Sequence, residues 1–447
     1  MNLKRTLIET LPPGLKRRLA VPYDLYQTRK ADHAFKQKSL PEYEAGDDAP
    51  DHIVCVVVDA LRADHVDAGT TPYLASLDGC DAITPGAWTF PAMSSLVSGV
   101  YPHEHGAMKR TDEPDDSERL TLPPRMDDGR ETITESLAGA GYDTYGGFGH
   151  DTPFVALSGR FGKHALSHSI TSNAEDVLAD YLEWVDGRDC TFSLLQLADP
   201  HVPVDPPGEY WEKYDVDESL DDIENWRYNA TLECGAECER YREHRRRLYR
   251  ASVDYVDDAI AGFVDSLESL VEDPLVVITA DHGEMHWEHV QFDVSHFGGT
   301  GCVGHGGTPY EHLARVPLLT NGDWSFEGHV SLIDIPPTLA DCVGINPSEM
   351  TGRSLLEDGS GDRLALVEGS LSGYEKKAIY SGQHKLIVSR GDGTEVGYVL
   401  PEEERTDLPD DVKQHLLDAL PPWPDGDEVQ TEVASVVEDR LDKLGYR

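Results

Sequence analysis

The fold is decided by the stretch Ile53-Val54-Cys55-Val56-Val57-Val58-Asp59. Its first six residues are apolar and mostly β-branched, which is typical of a strand buried on both faces of a sheet. Asp59 then stands at the carboxyl end of that strand, where parallel sheets place their ligands. A second run of the same kind, at 275–280, ends in Asp281-His282. Two strand ends that each deliver a carboxylate predict a metal site between them.

The segment at 87–99 supplies a candidate nucleophile. Pro91 fixes its own φ and pushes Phe90 towards an extended conformation, while 94–97 favour a helix, so Thr89 falls at the entry to a helix. Amides at a helix start attract anions. A hydroxyl beside a cation that lowers its pKa can attack phosphorus or sulfur. The alternative is that Thr89 is only an N-cap, the usual role of a threonine before a helix.

Together, these segments resemble the alkaline phosphatase superfamily and, within it, the sulfatase-like branch. The resemblance lies in four motifs that occur in family order, at 58–65, 89–106, 279–284 and 304–318. It extends from about residue 51 to the C-terminus, where 441–446 is similar to a sulfatase tail. It implies an α/β fold with a large, mostly parallel central sheet flanked by helices and a small α+β C-terminal domain.

The resemblance also implies a metal-assisted mechanism. Asp59, Asp281 and His282 would hold one divalent cation, with Thr89 Oγ as a further ligand and as the attacking atom. Oxygen-dominated ligation permits Ca²⁺, Mg²⁺ or Mn²⁺, while additional histidines would favour Zn²⁺.

Two further histidines follow from the resemblance. His201 comes after a predicted strand at 191–197 and corresponds to a substrate-binding histidine, although Asp199-Pro200 before it would by itself be a turn. His305 stands where relatives keep a lysine or histidine that touches the transferred group. Both would bind nonbridging oxygens or protonate the leaving group. A second metal held by Asp199, His201 and His305 is less favoured, because two-metal relatives space that acid and histidine differently.

The chain also departs from the sulfatase pattern. Sulfatases proper have a cysteine or serine, oxidised to formylglycine, in place of Thr89, and a basic residue in place of Met93. Ala60 stands where they have a second aspartate. We therefore expect a hydrolase or transferase of phosphate esters, on a small-molecule, glycan or lipid-headgroup substrate. The alternatives are a true sulfuric ester hydrolase and a non-catalytic binder of a glycan or lipid headgroup.

The composition is strongly acidic. The 447 residues carry a formal net charge of −45, which argues against nucleic acid as a partner because a phosphate backbone would be repelled. The apolar strand runs argue against disorder. An acidic, hydrated surface is similar to those of proteins from salt-loving archaea, where high salt screens the self-repulsion.

The cysteines and the apolar runs bear on the compartment. Seven cysteines are scattered along the chain and indicate no disulfide framework, so we expect Cys234 and Cys238 only to pack. There is no apolar run of eighteen residues and no signal-peptide pattern, which favours a cytoplasmic protein. The oligomeric state is left open.

Three regions are expected: a basic N-terminal arm at 1–50, a catalytic domain at 51–358 with an insertion at about 205–245, and a C-terminal subdomain at 359–447. The nine Lys and Arg residues of the arm would allow contact with an anionic membrane. We favour an arm that is clamped onto the acidic body, because Pro12-Pro13-Gly14 interrupts a long amphipathic helix. The loop histidines His286, His289 and His296 are expected to be merely solvated.

Overall fold

Strands and helices alternate along the chain. The computed structural model describes residues 13–109, 122–167, 173–297, 302–347, 349–356, 363–371 and 373–424, with side chains from residue 22. Within these ranges the strands are β1 His52–Val58, β2 Asp78–Ile83, β3 Asp143–Phe148, β4 Lys163–Leu166, β5 Thr191–Leu197, β6 Leu275–Ala280, β7 Arg315–Thr320, β8 Ala365–Val367, β9 Lys376–Ser381, β10 His384–Ser389, β11 Glu395–Val399 and β12 Glu404–Thr406.

The helices in the same ranges differ widely in length, from four residues to the 35 of α8. They are α1 Pro13–Lys36, α2 Thr89–Ser98, α3 Pro102–His105, α4 Ile133–Gly139, α5 Asp151–Leu157, α6 Ala174–Val185, α7 Gly208–Lys213, α8 Ala236–Leu270, α9 Val290–His296, α10 Glu311–Ala314, α11 Ile335–Val343 and α12 Asp410–Ala419. None of them combines the length and the apolar character that crossing a bilayer requires.

The central sheet has seven strands in the order β2-β7-β6-β1-β5-β3-β4. The five strands from β6 to β4 run parallel, while β7 and β2 add an antiparallel edge. All seven residues of β1 are buried, as its β-branched run predicts. Val58 pairs with Leu197 of β5 and with Ala280 of β6. The carboxyl ends of three neighbouring strands are therefore in register, and the expected α/β class with a mostly parallel sheet is confirmed.

A second, antiparallel sheet follows in the order β12-β11-β10-β9-β8. Its strands carry lysines on buried positions, among them Lys377 in β9 and Lys385 in β10. Together with α12 it forms the small α+β C-terminal part that the family resemblance implies. The tail motif at 441–446 lies outside the described residues.

Helix α1 packs against the central sheet at its β4 edge. Ala31 and Phe35 are buried, and Asp32 accepts a 2.7 Å hydrogen bond from the backbone N–H of His164 in β4. The helix begins at Pro13, where a proline lacks only an N–H that a first turn leaves unbonded anyway. Most of the apolar residues behind the predicted membrane contact lie in 1–12, outside the described residues.

One prediction about the cysteines is wrong. Cys234 and Cys238 are joined by a disulfide at the start of α8, with their Cα atoms 5.3 Å apart. Cys234 lies two residues before Ala236, the first residue of α8, so the bridge joins the segment ahead of the helix to its first turn. The sequence pattern was compared only with that of a zinc site, so it did not predict this bridge. The other five cysteines are free.

Candidate active site

Asp59 lies directly after β1 and is fully buried. Its Oδ2 accepts hydrogen bonds from His150 Nε2 at 2.7 Å and from Gln196 Nε2 at 2.9 Å. Its Oδ1 accepts no hydrogen bond from the described residues. Burial raises the pKa of Asp59 to about 6, because a charged carboxylate loses its hydration there. The protein thus fixes one oxygen and leaves the other available.

Asp281 and His282 follow β6 and are also fully buried. Asp281 Oδ1 accepts from the N–H groups of Ala60 at 3.3 Å and His282 at 2.9 Å, whereas its Oδ2 has no hydrogen-bond partner in the described part of the chain. Burial first, and the charge of Asp59 second, raise the pKa of Asp281 to about 7. His282 Nδ1 donates to the carbonyl of Gly283 at 2.9 Å, so Nε2 presents its lone pair to the site.

These three residues fit a divalent cation. One ligand atom from each of Asp59, Asp281 and His282 lies within 4.8 Å of the other two. Two buried carboxylates that face each other without a lysine or arginine are unfavourable unless a cation neutralises them. The two carboxylate oxygens without hydrogen bonds and the Nε2 lone pair supply the donor types that divalent metals bind.

Thr89 is the first residue of α2, and Trp88 occupies the N-cap position. The alternative in which Thr89 is only the N-cap is therefore wrong. Its Oγ1 lies 3.2 Å from His282 Nε2 and 3.4 Å from Asp59 Oδ2. Because His282 Nε2 carries a lone pair, it can accept a hydrogen bond from the Thr89 hydroxyl. The hydroxyl is therefore oriented by His282 and Asp59, which both belong to the group of possible metal ligands.

His201 and His305 meet beside this cluster, with their Nε2 atoms 3.3 Å apart. His201 Nδ1 donates a hydrogen bond to the carbonyl of Val202 at 2.7 Å. While His201 is neutral, its Nε2 carries no hydrogen and therefore accepts a hydrogen bond from His305 Nε2. His305 Nδ1 lies 3.1 Å from Glu284 Oε1. Burial lowers the pKa of both histidines and raises the pKa of Glu284 to about 7. The three side chains form one hydrogen-bonded chain that can hold and pass a proton.

Three residues of the site were missed by the sequence analysis: His150, Gln196 and Glu284. His150 Nδ1 accepts from the N–H of Thr152, so its Nε2–H is the donor to Asp59. A signal for His150 exists, because it follows strand β3 just as Asp59 follows β1. Gln196 is the sixth residue of an apolar strand and Glu284 follows the second metal motif, but neither position predicts a contact by itself.

The remaining predicted residues lie elsewhere. Asp199 is buried with its Oδ2 unbonded in the described residues, but the charges that raise its pKa are those of Asp205 and Asp176, and it is not part of the ligand group of Asp59, Asp281 and His282. A second metal held by Asp199, His201 and His305 is not among the ligand groups that the described residues form.

The expectation of solvated loop histidines is wrong for two residues. His286 is buried, with its Nδ1 3.1 Å from Arg62 Nη1. His289 is partly buried and stacks on Tyr310. His296 alone is exposed as expected.

A mostly parallel sheet with a buried carboxylate and imidazole cluster at its strand ends, beside a helix-start hydroxyl, is the arrangement expected of the sulfatase-like branch of the alkaline phosphatase superfamily. The family model described as Sulfatase matches residues 51–345, which is more than half of the chain. The chain belongs to the sulfatase family.

The curated relatives are sulfatases and match only in part. An arylsulfatase of Clostridium perfringens is 27% identical over 198 residues, which cover 39% of this chain and 39% of that protein. Bovine arylsulfatase K is 32% identical over 123 residues, 26% of this chain and 21% of that protein. The matched region thus spans well under two thirds of the length of these relatives.

Solved structures match over more of the chain. A protein in complex with its substrate D-glucosamine-2-N,6-O-disulfate has a TM-score of 0.64 at 15% identity, covering 89% of this chain and 98% of that one. A phosphonate monoester hydrolase from Silicibacter pomeroyi has a TM-score of 0.58 at 18% identity, covering 82% and 93%. At these identities the similarity establishes the fold.

Proposed function

We propose that the chain is a metal-dependent hydrolase of phosphate esters that uses Thr89 as its nucleophile. The observation that carries this proposal is the position of Thr89 Oγ1, 3.2 Å from His282 Nε2 and next to two carboxylates that have no lysine or arginine partner among the described residues. A hydroxyl at the first position of a helix also faces the partial positive charge of the helix start, which attracts an anionic substrate.

Asp59, Asp281 and His282 would hold the cation, with Thr89 Oγ as a further ligand. A divalent ion at that position would lower the pKa of the Thr89 hydroxyl and offset the charge of a bound ester. Ca²⁺, Mg²⁺ and Mn²⁺ suit the two carboxylates, and the imidazole also admits Zn²⁺. His150 and Gln196 hold the Asp59 carboxylate in one orientation through its Oδ2, which leaves Oδ1 for the cation.

The remaining residues divide the work of binding and proton transfer. Thr89 Oγ, whose proton would be released when the cation binds, would attack phosphorus and form a phosphothreonine, while the bond to the leaving oxygen breaks. The His201 and His305 pair would bind nonbridging oxygens or protonate the leaving oxygen. Glu284 would then replace the lost proton by donating one to His305 Nδ1. Water or an acceptor hydroxyl would then attack phosphorus and break its bond to Thr89 Oγ, and the proton of that nucleophile would return through His305 to Glu284.

The choice of phosphorus over sulfur rests on the chemistry of threonine. The formylglycine hydrate of sulfatases expels sulfate as the aldehyde forms again, and a threonine cannot become that aldehyde. A phosphothreonine can be opened by attack at phosphorus. Two phosphonate monoester hydrolases are among the structural neighbours, which is consistent with phosphorus chemistry on this fold. Because the curated relatives are arylsulfatases, a sulfuric ester hydrolase is the alternative.

The test compares aryl phosphate mono- and diesters with aryl sulfates, using the full chain with added Mn²⁺, Mg²⁺, Ca²⁺ or Zn²⁺. We expect faster cleavage of the phosphates and a loss of at least about 10³-fold in kcat for Thr89→Ala. Thr89→Ser keeps a hydroxyl and is the matched control, so it should retain part of the rate. Faster sulfate cleavage, or near-full activity of Thr89→Ala, would overturn the proposal. Absence of turnover with every metal would favour the non-catalytic binder.

His305→Gln separates proton transfer from metal binding. The variant should lose about 10²-fold in kcat, since general acid catalysis contributes roughly 10²- to 10⁴-fold. Its metal content should equal that of the wild type, because His305 Nε2 faces His201 and its Nδ1 faces Glu284. Substrates with a good leaving group such as 4-nitrophenol need less protonation, so they should show a smaller loss than phenyl esters. An equal loss with both leaving groups would assign His305 to oxygen binding alone.

A further inference from the structure

A second group of metal-binding side chains lies outside the proposed active site. His289 precedes α9, His312 lies in α10, and Glu403 lies between β11 and β12 of the C-terminal sheet. We propose that these three residues bind a second divalent metal ion, of the Zn²⁺ type, that links the C-terminal sheet to the loop after β6. Two imidazoles and one carboxylate are a ligand set that Zn²⁺ prefers.

The separations of the three ligand atoms fit one ion. His289 Nε2 lies 3.3 Å from His312 Nδ1 and 3.7 Å from Glu403 Oε2. Ligands at about 2.0–2.1 Å in a tetrahedral arrangement are about 3.3 Å apart. The two imidazoles therefore already have the spacing of one tetrahedral edge, and the Glu403 oxygen lies within 4.8 Å of both imidazole nitrogens.

Neighbouring residues hold the ligands in these positions. The His289 ring stacks on Tyr310 with ring centroids 4.0 Å apart and an angle of 8° between the planes. Glu403 is fixed by Lys385 Nζ, 2.7 Å from Oε1, and by the N–H of Glu311, 3.1 Å from each of its oxygens. Hydrogen bonds of this kind to a ligating carboxylate are typical of metal sites.

The group is accessible to an ion from solution. It borders a cavity of about 490 Å³, whose wall includes Glu288, Phe292, Tyr398 and Arg405 as well as two of the ligands. The His289 side chain is 23% exposed. Three protein ligands, two of them on the wall of the cavity, leave a fourth position for water, the arrangement of accessible zinc sites.

A direct hydrogen bond between the two histidines is the alternative explanation of the 3.3 Å contact. Such a hydrogen bond uses one proton between the two ring nitrogens, whereas a metal ion needs the lone pairs of both, so metal binding separates the two explanations. Two neighbouring cations are already paired with acids: Arg62 lies 2.6 Å from Glu288, and Lys385 lies 2.8 Å from Glu311 and 2.7 Å from the ligand Glu403 itself. Their repulsion of an added cation is correspondingly reduced.

The test counts metal ions in the full chain after chelation and dialysis against Zn²⁺ or Co²⁺. Asp281→Asn removes a ligand of the proposed active-site metal and serves as the background. In that background we expect one equivalent of Co²⁺ with the visible absorption of a tetrahedral ion. Adding His289→Gln or His312→Gln should abolish that absorption and weaken Zn²⁺ binding at least about 100-fold. Adding His296→Gln, an exposed histidine on the same cavity, is the matched control and should change nothing.

Each outcome decides the question. The inference is overturned if the Asp281→Asn chain binds no Co²⁺ or Zn²⁺ at micromolar concentrations, or if the added His289→Gln and His312→Gln changes leave the tetrahedral absorption intact. Near-ultraviolet circular dichroism shows whether each variant is folded. If one histidine variant does not fold, the other still tests the site. Since turnover is not measured, the result is independent of whether Thr89 is the nucleophile.

Discussion

Glu368 and Asp281 are both fully buried carboxylates that follow a strand, but only Glu368 has a lysine against it. Lys377 Nζ lies 2.7 Å from Glu368 Oε1, and His103 Nδ1 lies 2.6 Å from Oε2. Burial alone would raise the pKa of Glu368, but His103 and Lys377 outweigh it and the pKa is lowered. Asp281 faces another acid, Asp59, and its pKa is raised.

The presence or absence of a cationic side-chain partner distinguishes buried acids with a structural role from those with a proposed functional role. In the C-terminal sheet the chain supplies the cation that a buried acid needs. At the end of β6 it supplies none among the described residues, so the charge of the facing acids is left for the proposed metal ion to neutralise. Glu375 represents a third case: its oxygens accept hydrogen bonds from the N–H groups of Gly369 and Ser370. Three measurements test this division of the buried acids, and a fourth, on salt, compares them with the exposed acids.

The largest effect is expected from salt, which acts on the exposed acids and not on the buried pairs. With a net charge of −45, the compact state is under strong self-repulsion at low ionic strength. Salt at about 1 M shortens the Debye length to about 3 Å. We expect cooperative unfolding, followed by circular dichroism, when the salt is diluted well below that level, and refolding on its return. Full thermal stability in dilute buffer would contradict the similarity to halophilic proteins.

Removing the lysine of the structural pair should be costly. Lys377→Met leaves Glu368 buried beside His103 alone, and we expect a loss of about 3–5 kcal/mol in the free energy of unfolding. The double variant Lys377→Met with Glu368→Gln removes both charges and should recover most of that loss. Chemical denaturation of the three proteins measures it. A single variant as stable as the wild type would show that Lys377 does not compensate Glu368.

Removing a charge from the acid pair of the central sheet should instead increase the free energy of unfolding. Asp281→Asn keeps an oxygen that can accept from Ala60 and His282 but removes one of two facing charges, so the metal-free variant should be more stable by on the order of 1 kcal/mol. Its affinity for the active-site metal should fall at least about 100-fold. Calorimetry gives both quantities. Asp199→Asn, a buried acid outside the cluster, is the control and should bind metal normally.

The smallest effect concerns Glu375 and depends on pH. Burial raises the pKa of Glu375 to about 7, above its value near 4.5 in an unfolded chain. The folded state therefore gains stability from this group below about pH 4.5 and loses it as the pH rises through 7. Glu375→Gln should be more stable than the wild type at pH 8, by about 1–3 kcal/mol, with a smaller difference at pH 5. Equal differences at both pH values would contradict the raised pKa.

Much of the site could be predicted because strand ends are visible in the sequence. The β-branched run before Asp59 and the similar run before Asp281 identify two parallel strands, and register then brings their acids together. Thr89 was found from proline rules and family motifs, and His201 and His305 from the resemblance. The structure brings all of these residues to one edge of the central sheet, while their chemical roles stay predictions.

The rest could not be predicted because it depends on contacts between distant segments. His103 and Glu368 lie 265 residues apart, and no local pattern identifies either as a partner of the other. The same holds for His289, which looks like any loop histidine until Glu403 of the C-terminal sheet approaches it. Gln196 was missed for a different reason, because a polar residue within an apolar strand carries no information about which buried group it faces.

The place of β1 in the middle of the central sheet has a consequence during protein synthesis. Its neighbours β5 and β6 come much later in the chain, and the Ala60 to Asp281 hydrogen bond joins residues 221 positions apart. At roughly 5–20 residues per second, a ribosome needs on the order of ten seconds or more to make the partners of β1. During that time an apolar, β-branched segment has both edges uncovered, which favours pairing between unfinished chains. The acidity that resists compaction of the finished protein also keeps neighbouring nascent chains apart.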